Sequence, residues 1–324
     1  PVEGDLTFNS STDLYDYAAS QFHGVETFTF YYSDGTNVSE LVTCTVVVYD
    51  DSSDFSHEDF NDAHDWLVGA AFNGPPNGMG IRQGQIGDCW FVAPASGLAQ
   101  IVERHNELTQ MIDDNGVAPG AGRWYTVSFP GRTPRTFTFR AGQVYPRVGF
   151  PNNPYRFATN VNGNGDWIGI LEKGLAFELS PNAATWSESL AAIDRGRPNG
   201  TGITILTNNP IDPDDLWITR KSVTRSKLTE AFQNESPRIV TAGTSRNPGA
   251  GIAPTHCYTV LEFDSVNDRI RLRNPWGRNP ITYWVPVEEA GRAWALARRG
   301  NGAADFWMTL DEFYYRFSTI CYEQ

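Results

Sequence analysis

Residues 83–91 read QGQIGDCWF, a cysteine behind two glycines and a glutamine. The segment that follows, residues 89–103, is apolar and rich in small side chains, which predicts a buried helix. Gly84 and Gly87 allow the backbone to turn sharply just before this helix. Cys89 is therefore expected at the positive end of the helix dipole, where a thiolate is stabilised.

Cys89 has two interpretations when it is taken alone. It can be a buried structural cysteine in front of a core helix, or a nucleophile whose thiolate attacks an electrophilic carbon. Trp90 would anchor the helix inward in either case. Pro94 fits such a helix best near its first turn, because proline lacks a backbone N–H.

A nucleophilic cysteine needs a base, and the five histidines differ in their surroundings. His256 opens the strand-like segment HCYTVLEF directly after a glycine-containing loop, a placement typical of a cleft-lining base. The others lie in the N-terminal β-rich segment, in an acidic stretch or in a polar run; they are His23, His57, His64 and His105.

Two amide side chains complete the candidate site. Asn274, in the segment RLRNPWG that ends another predicted strand, could accept a hydrogen bond from His256 and fix its ring. Gln83 could donate toward a developing oxyanion, with the backbone N–H of Cys89 as the second donor. The alternatives are a structural histidine, and an asparagine that only forms the turn before Pro275.

The rest of the pattern predicts an α+β protein with two lobes. The first half carries helix-like stretches, including residues 166–179, and a predicted hairpin at residues 123–140. The second half, after Arg195, is mostly strand-like. A cleft between two such lobes is where an active site is expected.

Charge and composition narrow the classes of partner. The net charge is −13, and 14 of the 38 acidic residues lie before Arg82, the first basic residue. An acidic leading quarter excludes nucleic acid and anionic membranes as natural partners. No apolar run is long enough to cross a bilayer. The four cysteines contain no C-x-x-C pair, so a thiolate metal site is not expected.

Five segments together resemble the calpain family of papain-like cysteine proteases, in order and spacing: QGQIGDCWF, LEKGLAFEL, HCYTVLEF, RLRNPWG and FWMTLDEFYYRF. The resemblance implies a two-lobed protease core with Cys89 as nucleophile, His256 as base and acid, Asn274 as its orienting partner and Gln83 in the oxyanion hole. It also implies that Trp276 shields the bond between His256 and Asn274 from water.

Before this core, residues 1–50 read as short strands, and FHGVETFTFYYSDG resembles the bacterial cadherin-like repeat. The expected division is a partial β-sandwich module at 1–50, an acidic linker at 51–59, a first lobe at 60–195 and a second at 196–324. An arbitrary β-rich extension is the alternative for the first segment. The opening PVEGDLTF reads as the middle of a longer, multidomain chain.

Calcium is where the sequence departs from the resemblance. Well-studied calpains bind calcium in each lobe, and the first site uses an acid three residues before the glutamine, where this chain has Gly80. Asp166 and Asp305 are the weak calcium candidates that remain. We therefore expect a core that requires no cofactor, with calcium as the alternative.

The sequence thus predicts a cysteine endopeptidase that makes limited cuts in protein or peptide substrates. One alternative is a catalytically silent protease fold that acts as a binding or adhesion module. Another is transglutaminase-type acyl transfer, against which Asn274 argues, because those enzymes prefer aspartate there. The cadherin-like segment indicates a secreted or cell-surface protein of bacteria, with a cytoplasmic location as the alternative.

Overall fold

The computed structural model describes most of the predicted core and four strands before it. The described residues are 5–9, 14–18, 24–30, 42–48, 70–84, 86–118, 122–138, 158–160, 162–181, 186–233, 237–249, 251–279, 282–285, 295–298 and 304–324.

The N-terminal segment contributes two antiparallel hairpins, as its alternating residues predict. The strands are β1 Asp5–Asn9, β2 Leu14–Ala18, β3 Gly24–Phe30 and β4 Val42–Val48, and β1 pairs with β2 and β3 with β4. The predicted linker at 51–59 lies outside the described residues. The cadherin-like assignment therefore stays a prediction.

The first lobe combines helices with short sheets. After a 3-10 helix at Gly78–Gly80, its elements are β5 Ile81–Arg82, α1 Cys89–Leu98, a second 3-10 helix Val102–Arg104, α2 His105–Thr109, β6 Ile112–Ala118, β7 Gly122–Val127, β8 Arg135–Thr138, β9 Thr159–Asn160, α3 Trp167–Leu179, α4 Trp186–Ile193 and α5 Thr201–Thr207. The predicted hairpin is β7–β8, in which Trp124 lies opposite Thr138.

Helix α1 is the central element of this lobe, because every residue from Trp90 to Leu98 is buried. A helix that is apolar on all sides must be covered on all sides. Pro94 lies inside it as the sixth residue, further along than its chemistry predicts, and the helix continues to Leu98. Helix α5 approaches closely at Gly202, where an added Cβ would lie 2.3 Å from the carbonyl oxygen of Trp90.

The second lobe is a six-stranded antiparallel sheet covered by helices. Its elements are β10 Ile211–Asp215, α6 Lys221–Gln233, β11 Val240–Thr244, β12 Cys257–Asp264, β13 Arg269–Arg273, β14 Thr282–Val285, β15 Ala295–Arg298, β16 Asp305–Thr309, α7 Leu310–Arg316 and β17 Phe317–Glu323. The sheet order is β10-β17-β11-β12-β13-β16, and β14 pairs separately with β15.

Each lobe has its own hydrophobic core, which confirms the predicted α+β fold with two lobes. The first core contains α1, α3 and α5, whose side chains include Phe91, Ile170 and Leu206. The second contains the sheet and α7, with Tyr258 and Phe313. Ile239 and Cys321, which follow α5 in the chain, also belong to the first core, and the lobe boundary at residue 195 stays a prediction.

Helix α1 also connects the two lobes, because it packs against β11 and β12 of the second one. The hydroxyl of Thr259 on β12 donates to the carbonyl of Ala93 on α1 at 2.7 Å. The start of α1 and the start of β12 are thereby held together. In the part of the chain described here, none of the helices combines the length and apolar character that crossing a membrane requires.

Candidate active site

Cys89 is the first residue of α1 and its side chain is partly buried. Burial raises the pKa of the thiol to about 11, the backbone N–H of Cys257 opposes this rise, and the carboxyl of Asp88 adds to it. The expectation that the helix N-terminus yields a stabilised thiolate is therefore not met. Desolvation and the adjacent carboxyl act against the helix dipole and favour the neutral thiol.

Because the backbone N–H of Cys257 lowers the pKa of Cys89, the sulfur lies near the beginning of β12, one residue after His256. His256 is 6% exposed, and its backbone N–H donates to the hydroxyl of Thr244 at 2.9 Å. The preceding Thr255 has φ +48°, a left-handed conformation that a β-branched residue rarely adopts. Strand end and strained turn together fix where the imidazole lies.

Asn274 directly follows β13, the antiparallel neighbour of β12. The start of one such strand and the end of the next lie at the same edge of the sheet, so His256 and Asn274 meet there. The distance between His256 Nε2 and Asn274 Oδ1 is 2.9 Å. The same oxygen accepts from the backbone N–H of Trp276 at 2.9 Å, which holds the amide in a turn.

Two aromatic rings cover the histidine. The ring of Trp276 lies 4.4 Å from that of His256, centroid to centroid, and the ring of Tyr258 lies at 5.2 Å, edge to face. Burial lowers the pKa of His256 to about 4, although the bond to Asn274 acts in the opposite direction. His256 is therefore neutral at physiological pH and can accept a proton.

Sequence reasoning missed two residues that fix Asn274. Its Nδ2 donates to Asn279 Oδ1 at 3.1 Å and to the hydroxyl of Tyr258 at 3.3 Å. Asn279 is buried, and nothing in its local sequence signals this role. Tyr258 could have been found, because residues two apart on a strand share a face and it lies two after His256.

Gln83 is buried at the end of the segment that includes β5, where its backbone N–H donates to the carbonyl of Pro275 at 2.7 Å. Its Nε2 donates to Ile86 O at 2.7 Å and to Asp88 Oδ1 at 3.1 Å. Both hydrogens of the amide nitrogen are thus used in this state. Donation to an oxyanion stays a prediction, and it requires one of these bonds to give way.

Asp88 forms a buried carboxyl pair with Glu172 of α3, and neither residue has any exposed surface. Asp88 Oδ1 accepts from Gln83, and Glu172 Oε2 accepts from the backbone N–H of Ala158. The other oxygen of each carboxyl, Asp88 Oδ2 and Glu172 Oε1, is buried without a hydrogen-bond donor among the described residues, and the two carboxyl groups act on each other's pKa. Burial raises the pKa of Asp88 to about 7 and holds that of Glu172 well above its usual range.

Trp90 anchors α1 as its chemistry predicts. Its side chain is 1% exposed, and its ring nitrogen donates to the carbonyl of Ile193 at 3.3 Å. The guanidinium of Arg197 lies 5.2 Å from the ring, within cation–π range.

The three positions considered for calcium, Gly80, Asp166 and Asp305, are surrounded by groups that differ from a set of calcium ligands. A Cβ on Gly80 would lie 2.2 Å from the amide oxygen of Asn160, so a larger side chain there requires Asn160 to move. Asp305 pairs with Arg271 at 2.6 Å, and Asp166 lies at the N-terminus of α3. Among the described residues, no three His, Cys, Asp or Glu side chains are grouped as metal ligands.

The structure pairs His256 with Asn274 at the sheet edge and places Cys89 of the first lobe near Cys257. Comparison with known proteins identifies the family. The family described as calpain family cysteine protease matches residues 70–322. Human Calpain-9 is 26% identical over 268 residues, which cover 74% of this chain and 35% of that protein.

Two further relatives show the same range of similarity. Calpain-type cysteine protease DEK1 of Zea mays is 26% identical over 274 residues, 77% of this chain and 12% of that protein. Calpain-5 of Mus musculus is 23% identical over 286 residues, 74% of this chain and 41% of that protein. The chain thus spans well under half the length of these relatives. The match over 70–322 includes every residue of the site, and the chain belongs to the calpain family of cysteine proteases.

Proposed function

We propose that this chain is a cysteine endopeptidase that cuts proteins at a limited number of peptide bonds. The observation that carries the proposal is the 2.9 Å contact between His256 Nε2 and Asn274 Oδ1. It leaves Nδ1 as the ring nitrogen that can exchange a proton with the nucleophile. Cys89 lies beside the same strand end, held by the N–H of Cys257.

Acylation begins from the neutral pair. As the sulfur of Cys89 bonds to the carbonyl carbon of the substrate, its proton passes to His256, and the carbonyl oxygen takes the negative charge. Collapse of this intermediate breaks the C–N bond, and His256 gives the same proton to the departing amine. The product is a thioester on Cys89 and a free amine.

Deacylation repeats the sequence with water. A water molecule attacks the thioester carbon through its oxygen while His256 takes one of its protons. The C–S bond then breaks. The sulfur recovers the proton from His256, and the carboxylic acid leaves. Asn274 orients the ring in both halves, and Trp276 and Tyr258 keep water away from the Asn–His bond.

The oxyanion requires donors that are in place when charge develops. The backbone N–H of Cys89, the first of α1, has no partner within the helix and is one such donor. Gln83 is the second, after its amide releases Ile86 or Asp88. Removal of one donor of this kind usually lowers kcat about 100-fold or more.

A binding module on a silent protease fold is the second candidate. The observation that favours it is the inward donation of the Gln83 amide, together with the raised pKa of Cys89. The two candidates differ in turnover, because a silent fold binds peptides without cleaving them.

Hydrolysis of casein and of fluorogenic peptides in the presence of EGTA tests the proposal. We expect turnover by the wild type and a loss of at least 1,000-fold in Cys89→Ala, which lacks the nucleophile. Cys321→Ala removes a buried thiol outside the site and should retain activity, which makes it the matched control. If wild type and Cys89→Ala hydrolyse at the same rate, the proposal is wrong.

A further inference from the structure

Besides the packing of α1 on β11 and β12, the two lobes contact each other along a short segment next to the site, which we call the seam. Four residue pairs form it: Arg273 with Met79 and with Ile81, Pro275 with Gln83, and Gly277 with Arg82. In the chain, the first-lobe residues of the seam end at Gln83, and those of the second lobe lie on both sides of Asn274. The seam therefore contributes, together with the packing of α1 on β12, to the relative position of the catalytic residues.

Arg273 is the charged member of the seam, and it is 4% exposed. Its Nη2 donates to two backbone carbonyls of the first lobe, those of Met79 and of Ile81, the latter at 3.0 Å. Its neighbour across the sheet is Asp305, but that carboxylate pairs with Arg271 at 2.6 Å. The buried guanidinium thus bonds through Nη2 to backbone of the other lobe, whereas its Nε has no hydrogen-bond partner among the described residues.

The carbonyls that it binds flank Gly80, where the family resemblance places an acidic calcium ligand. The space that a Cβ would need is filled by Asn160 and by Asn162, whose atoms would lie 2.2 Å and 2.9 Å from it. Amides cannot supply the negative charge that calcium requires, and an adjacent guanidinium repels a cation. The residues of this site do not fit calcium.

We propose that Arg273 is a positioning residue that joins the lobes as a built-in cation, so that the active site is assembled without calcium. A guanidinium suits this task because it carries fixed donors on a planar fork and remains charged when buried. Burial lowers the pKa of Arg273 to about 10, so the charge persists at neutral pH. The consequence for catalysis rests on the proposed function.

Loss of Arg273 acts on the reaction through its neighbours. Asn274 is the next residue, and Ile81 lies two before Gln83, so a loosened seam separates the orienting amide from the oxyanion donor and Cys89. Because a misplacement of about 1 Å can cost 100-fold in rate, the effect falls on the chemical step and not on peptide binding.

The test compares Arg273→Gln with Arg271→Gln in excess EGTA. Arg271 lies two residues away on the same strand and loses the same charge, but it pairs with Asp305 and Glu262, which are not seam residues. One readout is amide exchange of Gln83, whose N–H donates to Pro275 across the seam. The other is the rate at which a peptidyl chloromethyl ketone alkylates Cys89, separated into binding and inactivation.

We expect Arg273→Gln to exchange the Gln83 amide at least tenfold faster and to lower the inactivation rate at least tenfold at unchanged probe affinity. Arg271→Gln should remain within twofold of wild type in both. Arg273→Lys keeps the charge with one nitrogen and should fall between them. This variant and the wild type still decide the question if Arg273→Gln does not fold.

Two results would overturn the proposal. One is wild-type exchange and inactivation in both Arg273 variants. The other is a wild-type protein whose Gln83 amide loses protection when EGTA is added, since calcium would then hold the lobes. A wild type that is not alkylated but shows the expected exchange pattern contradicts the proposed function alone and leaves the seam in place.

Discussion

At the scale of single residues, the site is held in a neutral resting state. The pKa of Cys89 is raised to about 11 and that of His256 is lowered to about 4, both chiefly by burial. Both shifts favour the neutral thiol and imidazole over a thiolate–imidazolium pair. The proton moves from sulfur to nitrogen only when a substrate carbonyl is present to accept the electron pair.

The neutral thiol predicts how alkylation of Cys89 by iodoacetamide depends on pH. Only the thiolate reacts readily, and with a pKa near 11 its fraction rises tenfold for each pH unit below that value. The logarithm of the alkylation rate should thus rise with a slope near one between pH 7 and 10. Mass spectrometry that localises the adduct, with Cys89→Ala as the control, gives the rate; a flat rate between pH 5 and 8 would contradict a neutral pair.

At the scale of elements, helix α1 and strands β12 and β13 place the catalytic groups. The antiparallel pairing of β12 with β13 brings the start of one strand to the end of the other. The N-terminus of α1 is fixed against α3 by the carboxyl pair of Asp88 and Glu172, which also accepts from Gln83. Because the pair is buried, ionising Asp88 is unfavourable, and the contribution of the pair to the free energy of unfolding depends on pH.

The carboxyl pair predicts a pH dependence of the free energy of unfolding. The pKa of Asp88 is raised from 3.8 to about 7 in the folded state, so folding takes up protons between these values. The stability that the protonated pair contributes is complete below about pH 4 and is lost as pH rises toward 7. Relative to Asp88→Asn, the wild type should lose about 1 kcal/mol per pH unit in this range.

Urea unfolding at pH 5, 6 and 7 measures this difference. The titration of His256 acts in the opposite direction, but it is common to both proteins and cancels. Asp113→Asn removes an exposed carboxyl and should follow the wild type at every pH. Parallel curves for Asp88→Asn and wild type would show that Asp88 is ionised when folded.

At the scale of the whole molecule, the sequence predicts what depends on local pattern, namely the elements of both lobes and the identity of Cys89, His256 and Asn274 as candidates. It does not predict contacts between distant segments. Arg273 and Met79 are 194 residues apart, and no local pattern links them. The same holds for the pairing of Asp88 with Glu172, since a motif does not show what its side chains face.

The predicted pKa of Cys89 failed for a related reason. A helix N-terminus is visible in a sequence, whereas the degree to which a thiol is removed from water is a property of two packed lobes. Asn279 illustrates the same limit, because its role exists only where the turn after β13 folds back onto Asn274. The sequence was enough to name the candidate catalytic residues. The burial and hydrogen bonds that set their pKa values could be found only in the fold.

The most direct test of the account is the intact mass of the wild-type chain after incubation at pH 7 with a peptidyl epoxysuccinyl inhibitor in excess EGTA. We predict one adduct per chain, located on Cys89, and none in Cys89→Ala. An unmodified chain, an adduct on Cys257 or Cys321, or labelling that appears only when calcium is supplied would contradict a preassembled cysteine protease site.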